Sequence, residues 1–412
     1  MRPETSTLLD RFLRYVRIDT TADDRSTTYP STPGQLVLGA LLRDELLAMG
    51  VADARQNEHG YVFGTIPGNV PGAPTIVFNA HVDTNPETTG KDVDPQVIRD
   101  YRGGDIVLPK DPSKVIRVSD SPELDALVGK TIITTDGTTL LGGDDKAGVA
   151  AIMEATRILV ENPTIPHGPV KVVFTCDEEI GRGVQHLDPA EIGAVVGYTL
   201  DGVGTGEIDS ETFSADGATV TITGVNIHPA IAKGRMVNAI RLAGMFLERL
   251  PKRTTSPETT ADRDGFLHPL TIEGGVGETK ISFLIRDFDT AQLAVKADIL
   301  REIGRQVERE YPEAKVLVSV REQYRNMRDG IAKEPRAVAF AAEAMKRAGM
   351  EPKFKSIRGG TDGAMLTAKG LPVPNLSTGE HNFHSPLEWT CLEEMDAAVR
   401  VILELVQVWA GK

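Results

Sequence analysis

Thr75-Ile-Val-Phe-Asn79 is a short apolar run, and His81-Val-Asp83 follows it after a single alanine. A turn rich in proline and glycine separates this run from Tyr61-Val-Phe-Gly-Thr-Ile66, so the two runs are predicted to form neighbouring strands. Val170-Lys-Val-Val-Phe-Thr175 and Ala194–Leu200 are predicted to be two further strands. All of these runs are short and bounded by polar residues, which is typical of buried strands in an α/β sheet.

A predicted helix lies between these strands, from Lys146 to Val160, with its apolar residues spaced to share one face. Strands that alternate with helices indicate an α/β fold, with a mixed sheet and helices on both of its faces. Side chains able to bind metal follow the strands: His81 after the second, Glu178 and Glu179 after the third, and Asp201 after the fourth. Because sites form at the carboxyl edge of such sheets, these side chains are expected to converge.

The stretch from 212 to 321 has a different pattern, and we predict that it is a second domain inserted into the first. Its predicted elements follow the β-α-β-β-α-β order of a ferredoxin-like α+β fold: Ala218–Thr223, Met236–Leu250, Leu267–Glu273, Lys280–Arg286, Thr290–Glu310 and Lys315–Val320. Residues 1–211 and 322–412, with helices at Pro335–Ala348 and Leu392–Trp409, are then one discontinuous catalytic domain. The region from Lys91 to Lys130, rich in Asp, Pro and Gly, is predicted to be the most loop-like part of the chain.

Composition narrows the classes of function. A chain of 412 residues is longer than one hydrophobic core usually serves. The net charge of −14 argues against binding to nucleic acid or to an anionic membrane. The first 16 residues are predicted to form an amphipathic helix without the apolar core of a signal peptide. No later stretch resembles a membrane span, and two distant cysteines make no disulfide framework, so a cytoplasmic location is expected.

Five residues are candidate metal ligands: His81, Asp144, Glu179, Asp201 and His384. Zinc binds histidine nitrogen and carboxylate oxygen, and two zinc ions about 3.5–4 Å apart need a shared ligand. A carboxylate can bridge two metals, whereas a neutral imidazole cannot. Asp144 is the preferred bridge, because it follows two glycines that let the backbone approach closely. Cobalt or manganese would also suit this set of ligands.

Glu178 and Asp83 are candidates for supporting roles in catalysis. Neighbouring glutamates point in different directions, so Glu178 is expected to stay free and to act as general base when Glu179 binds metal. Asp83 lies two residues after His81 and is placed to orient its ring. Taken singly, each motif has a structural alternative: a hydrogen-bonded loop histidine, a solvated pair of glutamates or a helix cap. The metal-site interpretation rests on their joint occurrence at strand ends.

Several motifs resemble the dinuclear zinc aminoacylase/carboxypeptidase/dipeptidase superfamily. They are His81-Val-Asp-Thr84, Leu140-Leu-Gly-Gly-Asp-Asp-Lys-Ala-Gly148, Asp177-Glu-Glu179, Tyr198-Thr-Leu-Asp-Gly202 and His384-Ser-Pro-Leu-Glu388. Further stretches narrow the resemblance to the peptidase T family of tripeptide aminopeptidases: Tyr101-Arg-Gly-Gly-Asp-Ile106, Val225-Asn-Ile-His-Pro229, Ala232-Lys-Gly-Arg-Met-Val-Asn238, Ile285-Arg-Asp-Phe-Asp289 and Arg358-Gly-Gly-Thr-Asp-Gly363. The resemblance runs nearly from end to end.

The resemblance implies how the ligands are shared. It assigns His81, Asp144 and Asp201 to one zinc, and Asp144, Glu179 and His384 to the other. His384 is preferred over His381, which remains an alternative, because His384 precedes Ser-Pro-x-Glu. The resemblance also implies Glu178 as base, Asp83 as supporting acid and a cis peptide bond after Asp144.

The inserted domain then resembles a lid of the dimerisation type. Within it, His228 would stabilise the oxyanion. Arg286, Asn238 and Arg358 are candidates to hold the peptide, for instance by an arginine fork on its carboxylate. The structural alternative for these four residues is a surface salt bridge or a capping role.

The expected protein is a zinc-dependent aminopeptidase that removes the N-terminal residue from short peptides, tripeptides first. The alternatives are another activity of the superfamily (dipeptidase, carboxypeptidase or N-acyl amino acid deacylase) or, from another class, a non-catalytic binding protein that metals stabilise. Two Zn²⁺ ions are the expected cofactors. Short peptides are the expected partners, with no nucleic acid, no membrane and a possible homodimer.

Overall fold

A computed structural model describes residues 5–411, so residues 1–4 of the helix predicted over 1–16, and residue 412, lie outside the described residues. The helices are α1 (Thr5–Val16), α2 (Pro33–Met49), α3 (Gly143–Glu161), α4 (Pro189–Ile192), α5 (Ala239–Glu248), α6 (Thr290–Glu310), α7 (Arg328–Ile331), α8 (Arg336–Arg347), α9 (Asp362–Ala368) and α10 (Leu392–Ala410). The strands are β1 (Arg55–Gln56), β2 (Val62–Ile66), β3 (Ile76–His81), β4 (Gln96–Ile98), β5 (Ile106–Val107), β6 (Val115–Ile116), β7 (Ile132–Thr134), β8 (Val170–Thr175), β9 (Val196–Leu200), β10 (Glu207–Thr212), β11 (Ser214–Thr223), β12 (Phe266–Gly274), β13 (Glu278–Asp287), β14 (Lys315–Tyr324), β15 (Lys353–Ile357), β16 (Asn375–Leu376), β17 (Glu380–His381) and β18 (Trp389–Cys391).

The large unit is built on an eight-stranded mixed sheet. Its described residues are 5–210, Asp329–Lys355 and 361–411. The strand order is β1-β2-β8-β3-β9-β16-β10-β15. At its centre, β3 runs parallel to both β8 and β9, while β2 pairs with β8 in the antiparallel direction. All six residues of β3 are buried, which explains why its sequence is an apolar run rather than an alternation.

Helices cover both faces of this sheet, as the sequence predicted. Ile76 and Phe78 of β3 join a core that contains residues of α1, α2, α3, α8 and α10. Val77 lies between them on the opposite face and packs in a second cluster, with Ile192 of α4 and Leu366 of α9. Because successive side chains of a strand point to opposite faces, this alternation shows the two helical layers directly. The predicted α/β class is confirmed.

Two small sheets complete the large unit. One has the order β17-β18-β7-β4, and the other is the β5-β6 pair. The segment predicted to be loop, Lys91–Lys130, contains β4, β5 and β6. These strands are only two or three residues long, which is too short for a periodic pattern. Helix α2 was also missed, although Pro33 begins it and Gly50 ends it in the left-handed conformation.

The small unit comprises Glu211–Arg328 and Ser356–Gly360. Its four strands form an antiparallel sheet in the order β12-β13-β11-β14, with α5 and α6 contributing to one buried core. The order of elements is the predicted β-α-β-β-α-β. The unit differs from the predicted 212–321 because it extends to Arg328 and includes Arg358. The guanidinium of Arg358 donates to the backbone carbonyls of Asp262 and Asp264, at 2.9 and 3.0 Å.

Among the described residues, no helix is both long and apolar enough to cross a lipid bilayer.

Candidate active site

Three neighbouring strands place acidic and histidine side chains at one edge of the large sheet. His81 is the last residue of β3, Asp201 directly follows β9, and Glu178 and Glu179 begin three residues after β8. Because β3 is parallel to β8 and β9, these strand ends meet at the same edge. Asp144 comes to this edge at the start of α3.

Two groups of side chains in this region have the composition of metal sites. In the first, ligand atoms of His81, Asp144 and Asp201 lie within 4.8 Å of one another, and in the second those of Asp144, Glu179 and His384 do. His81 Nε2 is 3.0 Å from Asp144 Oδ1, while His384 Nε2 is 3.1 Å from Asp144 Oδ2. One carboxylate thus presents a different oxygen to each group, as a bridging ligand must.

The chemistry of the two groups fits divalent cations. Burial, with a further contribution from the nearby Asp144 carboxylate, raises the pKa of Asp201 to about 8. Burial lowers the pKa of His384, but hydrogen bonds to Asp144 and Glu179 outweigh this and raise it to about 10. Glu179 Oε1 is buried and accepts no hydrogen bond from any described residue. A cation between these groups would compensate the crowded negative charge and give that oxygen a partner.

The chain is similar to known peptidases. A model of peptidase family M20/M25/M40 matches residues 135–408. The chain belongs to this family. Peptidase T of Geobacillus thermodenitrificans is 45% identical over 406 residues, covering 98% of each chain, and that of Bacillus subtilis is 44% identical over 401 residues, covering 97% of this chain and 98% of the other. Within the family, the chain is therefore a member of the peptidase T group, and the resemblance seen in the sequence is confirmed.

Solved structures agree on the fold of this peptidase. The aminopeptidase PepT from Bacillus cereus matches with a TM-score of 0.76 at 23% identity, covering 99% of both chains. A tripeptidase from Staphylococcus aureus matches with a TM-score of 0.78 at 22% identity, covering all of both chains.

Glu178 of the peptidase belongs to neither metal-type group found among the described residues. Burial raises the pKa of its carboxyl well above the usual range; His81 opposes this, and Asp362 adds to it. A carboxyl group with a raised pKa can take up a proton and hold it during a reaction. These features of Glu178 are therefore compatible with the predicted free carboxyl group next to Glu179.

Asp83 approaches the His81 ring through both its backbone and its side chain. The closest partner of His81 Nδ1 is the backbone carbonyl of Asp83 at 3.1 Å, while the Asp83 carboxylate is 3.5 Å away. That carboxylate accepts hydrogen bonds from the backbone N–H groups of Glu178 and Glu179, at 3.0 and 3.1 Å. The backbone carbonyl of Asp83 is thus the closer partner of the ring, and its carboxylate accepts hydrogen bonds from the turn that carries both glutamates.

Three further residues support the ligands, and the sequence interpretation assigned them no role. Asp145 follows a cis peptide bond after Asp144, and its Oδ2 accepts from the His81 backbone N–H at 3.0 Å. Asn85 donates from Nδ2 to Glu179 Oε2 at 3.0 Å. The carboxylate of Glu388 accepts from three backbone N–H groups of the loop around Asp144: those of Leu141, Gly142 and Asp144. Glu388 closes the His-Ser-Pro-x-Glu motif, so a sequence signal for it existed.

Asp145 also belongs to a third acidic group, in which carboxylate oxygens of Asp145, Asp201 and Glu380 lie within 4.8 Å of one another.

Of the two candidate histidines, the structure brings His384 to Asp144. His381 instead stacks on Trp389, with ring centroids 3.8 Å apart, and its Nε2 is hydrogen-bonded to Glu394 at 2.7 Å.

The four predicted substrate contacts all lie in the small unit, where each has local partners. His228 is exposed, and its Nδ1 accepts from the Ala230 N–H at 3.2 Å. Asn238 caps α5 by accepting from the Ile240 N–H, which is the capping role named as its structural alternative. Arg286 donates to the carbonyls of Asp216 and Ile285, and Arg358 donates to Thr260 Oγ1 as well as to its two carbonyls.

Proposed function

We propose that this peptidase hydrolyses the first peptide bond of short peptides, tripeptides first, with two divalent metal ions and Glu178 as general base. The single observation that carries the proposal is the arrangement of Asp144. Its two oxygens face two different histidines, and the carboxyl of Glu178 lies outside both groups. Similarity to proteins named peptidase T, over nearly the whole chain, supports the choice of substrate.

His81, Asp144 and Asp201 would hold one metal ion, and Asp144, Glu179 and His384 the other. We infer zinc, although the same donors suit cobalt or manganese. When bound, such ions polarise the scissile carbonyl and lower the pKa of water.

Glu178 then carries the proton transfer. Its carboxylate accepts a proton from the attacking water as the new C–O bond forms. It then passes that proton to the leaving nitrogen as the C–N bond breaks.

His228 would donate a hydrogen bond to the oxyanion. Because its Nδ1 accepts from the Ala230 N–H, the neutral ring carries its hydrogen on Nε2, which is the donor this role needs. Arg286, Asn238 and Arg358 remain predicted contacts for the peptide. Donors that now bond to backbone carbonyls would have to exchange these partners to bind a substrate carboxylate.

Replacement of Glu178 tests the proposal directly. We expect Glu178→Ala to bind two metal ions per chain and to lose about 10²–10⁴-fold in kcat. Glu351→Gln, which changes an exposed glutamate of the large unit, is the control and should retain full activity. Unchanged activity in Glu178→Ala would remove Glu178 from the mechanism.

A substrate panel tests the specificity. One apolar sequence is supplied as dipeptide, tripeptide, tetrapeptide, N-acetyl tripeptide and C-terminally amidated tripeptide, and release of the first residue is measured. Preference for the free tripeptide supports the proposal. Preference for the dipeptide or the N-acetylated peptide would assign the chain a different activity of the superfamily.

A cytoplasmic location and a homodimer remain predictions.

A further inference from the structure

The loop that carries His384 is strained on both sides of Phe383. Asn382 has φ +50° and His384 has φ +61°, so both adopt the left-handed backbone conformation that residues other than glycine rarely adopt. Such residues are strained, and they cluster where function requires a particular backbone path. His384 is a candidate ligand, which accounts for one of the two.

Hydrogen bonds hold this loop in place at several points. Asn382 Nδ2 donates to Ser121 Oγ at 3.0 Å, and its carbonyl accepts from Ser385 Oγ at 2.8 Å. The His384 carbonyl accepts from Thr88 Oγ1, also at 2.8 Å. The backbone on either side of Phe383 is therefore tied to neighbouring segments, so the position of Phe383 is set by the structure around it.

Phe383 is 42% exposed even though its loop is held in place. Its ring packs edge-to-face against the His384 imidazole, with centroids 5.1 Å apart and an angle of 71° between the planes. His384 Nε2 in turn lies 3.0 Å from Glu179 Oε2. A strained and tethered loop thus holds a partly exposed aromatic ring directly beside the candidate metal ligands, where the ring is open to contact with a bound molecule.

We propose that Phe383 is a specificity-determining residue whose ring contacts an apolar side chain on the N-terminal residue of the substrate. This inference rests on the proposed function. The carbonyl that is attacked belongs to the N-terminal residue, so the Cβ of that residue lies only two bonds from the carbonyl carbon. It must therefore lie among the groups next to the ligands. The preferred substrates are short peptides that begin with a large apolar residue such as leucine.

The test compares metal-loaded wild type, Phe383→Ala and Phe383→Leu on Leu-Gly-Gly, Gly-Leu-Gly and Gly-Gly-Gly. We expect the ratio of kcat/KM for Leu-Gly-Gly to that for Gly-Gly-Gly to fall about tenfold in Phe383→Ala, mainly through KM, because an apolar contact is lost. Phe383→Leu, which keeps an apolar side chain, should recover part of the ratio. Phe354→Ala is the matched control, since Phe354 is a 61% exposed phenylalanine of the large unit on strand β15 at the edge of the sheet.

Three results would overturn the inference. The first is an unchanged ratio in Phe383→Ala, and the second is a loss confined to Gly-Leu-Gly, which would place the ring against the second residue. The third is an equal loss on all three peptides with reduced metal content, which would mean that Phe383 only supports His384. Failure of the wild type to release the first residue of any tripeptide would instead refute the proposed function, and the inference with it.

Discussion

Replacement of Glu388 by glutamine tests how the loop around Asp144 is held. The Glu388 carboxylate is buried, and it accepts from the N–H groups of Leu141 and Gly142 through Oε2, at 2.7 and 2.9 Å. Its Oε1 accepts from the Asp144 N–H at 3.1 Å. Glutamine has almost the same volume, so Glu388→Gln leaves no cavity and changes only charge and hydrogen bonding.

The cost follows from this geometry. The glutamine amide has only one oxygen. We expect this oxygen to accept the two shorter hydrogen bonds, from the N–H groups of Leu141 and Gly142. The NH₂ group of the amide then faces the Asp144 N–H, so a buried donor is left without an acceptor. Loss of one hydrogen bond to a charged group, together with the unsatisfied donor, destabilises the folded state by roughly 2–3 kcal/mol. For a domain of this size, the expected fall in Tm is on the order of 5 °C.

Thermal unfolding followed by circular dichroism in chelator measures this effect without metal, and Glu351→Gln is again the surface control. Titration with zinc gives a second measurement. Because Asp144 belongs to both metal-type groups, zinc should bind Glu388→Gln about 10–100-fold more weakly. If the variant unfolded at the wild-type temperature in chelator and bound zinc with wild-type affinity, the three hydrogen bonds would not position Asp144.

Three other perturbations have expected outcomes. Asn85→Ala removes the donor to Glu179, so titration should show one of two zinc sites weakened about 10–100-fold, whereas Asn226→Ala on the surface should bind normally. Removal of metal with a chelator should lower Tm, and added zinc should restore it. A ligand that binds only the folded state and is present at 100 times its Kd adds about 2.7 kcal/mol to the free energy of unfolding. A Tm that does not change when zinc is added would contradict the metal site. Burial, with a contribution from Glu207, raises the pKa of Asp209 to about 7. The folded state therefore binds more protons than the unfolded state between the usual aspartate pKa and pH 7, and stability falls as the pH rises through that window. Asp209→Asn should consequently raise Tm at pH 8 and have little effect near pH 4; an equal change at both pH values would refute this explanation.

Local patterns in the sequence were sufficient for several of the regular elements, although not for α2 or the shortest strands. Strand β8 and helix α6 have the bounds predicted from apolar runs and spacing, and β3, β9 and α3 differ from their predictions by a few residues. Helices α3 and α6 are long enough for a helical period to be recognised, whereas the buried strands stand out as apolar runs. The convergence of His81, Glu179 and Asp201 could also be predicted, because parallel neighbouring strands end at one edge of the sheet.

Tertiary structure decided what depends on contacts between distant parts of the chain. Glu388 bonds to the Asp144 N–H across 244 residues, and Asn85 bonds to Glu179 across 94, so neither contact leaves a periodic trace in the sequence. The same holds for Arg358, which joins the small unit through carbonyls nearly a hundred residues away. The sequence by itself determined which residue types stand at the strand ends. The packing of the folded chain determined which oxygen faces which histidine, because that depends on side-chain geometry in three dimensions.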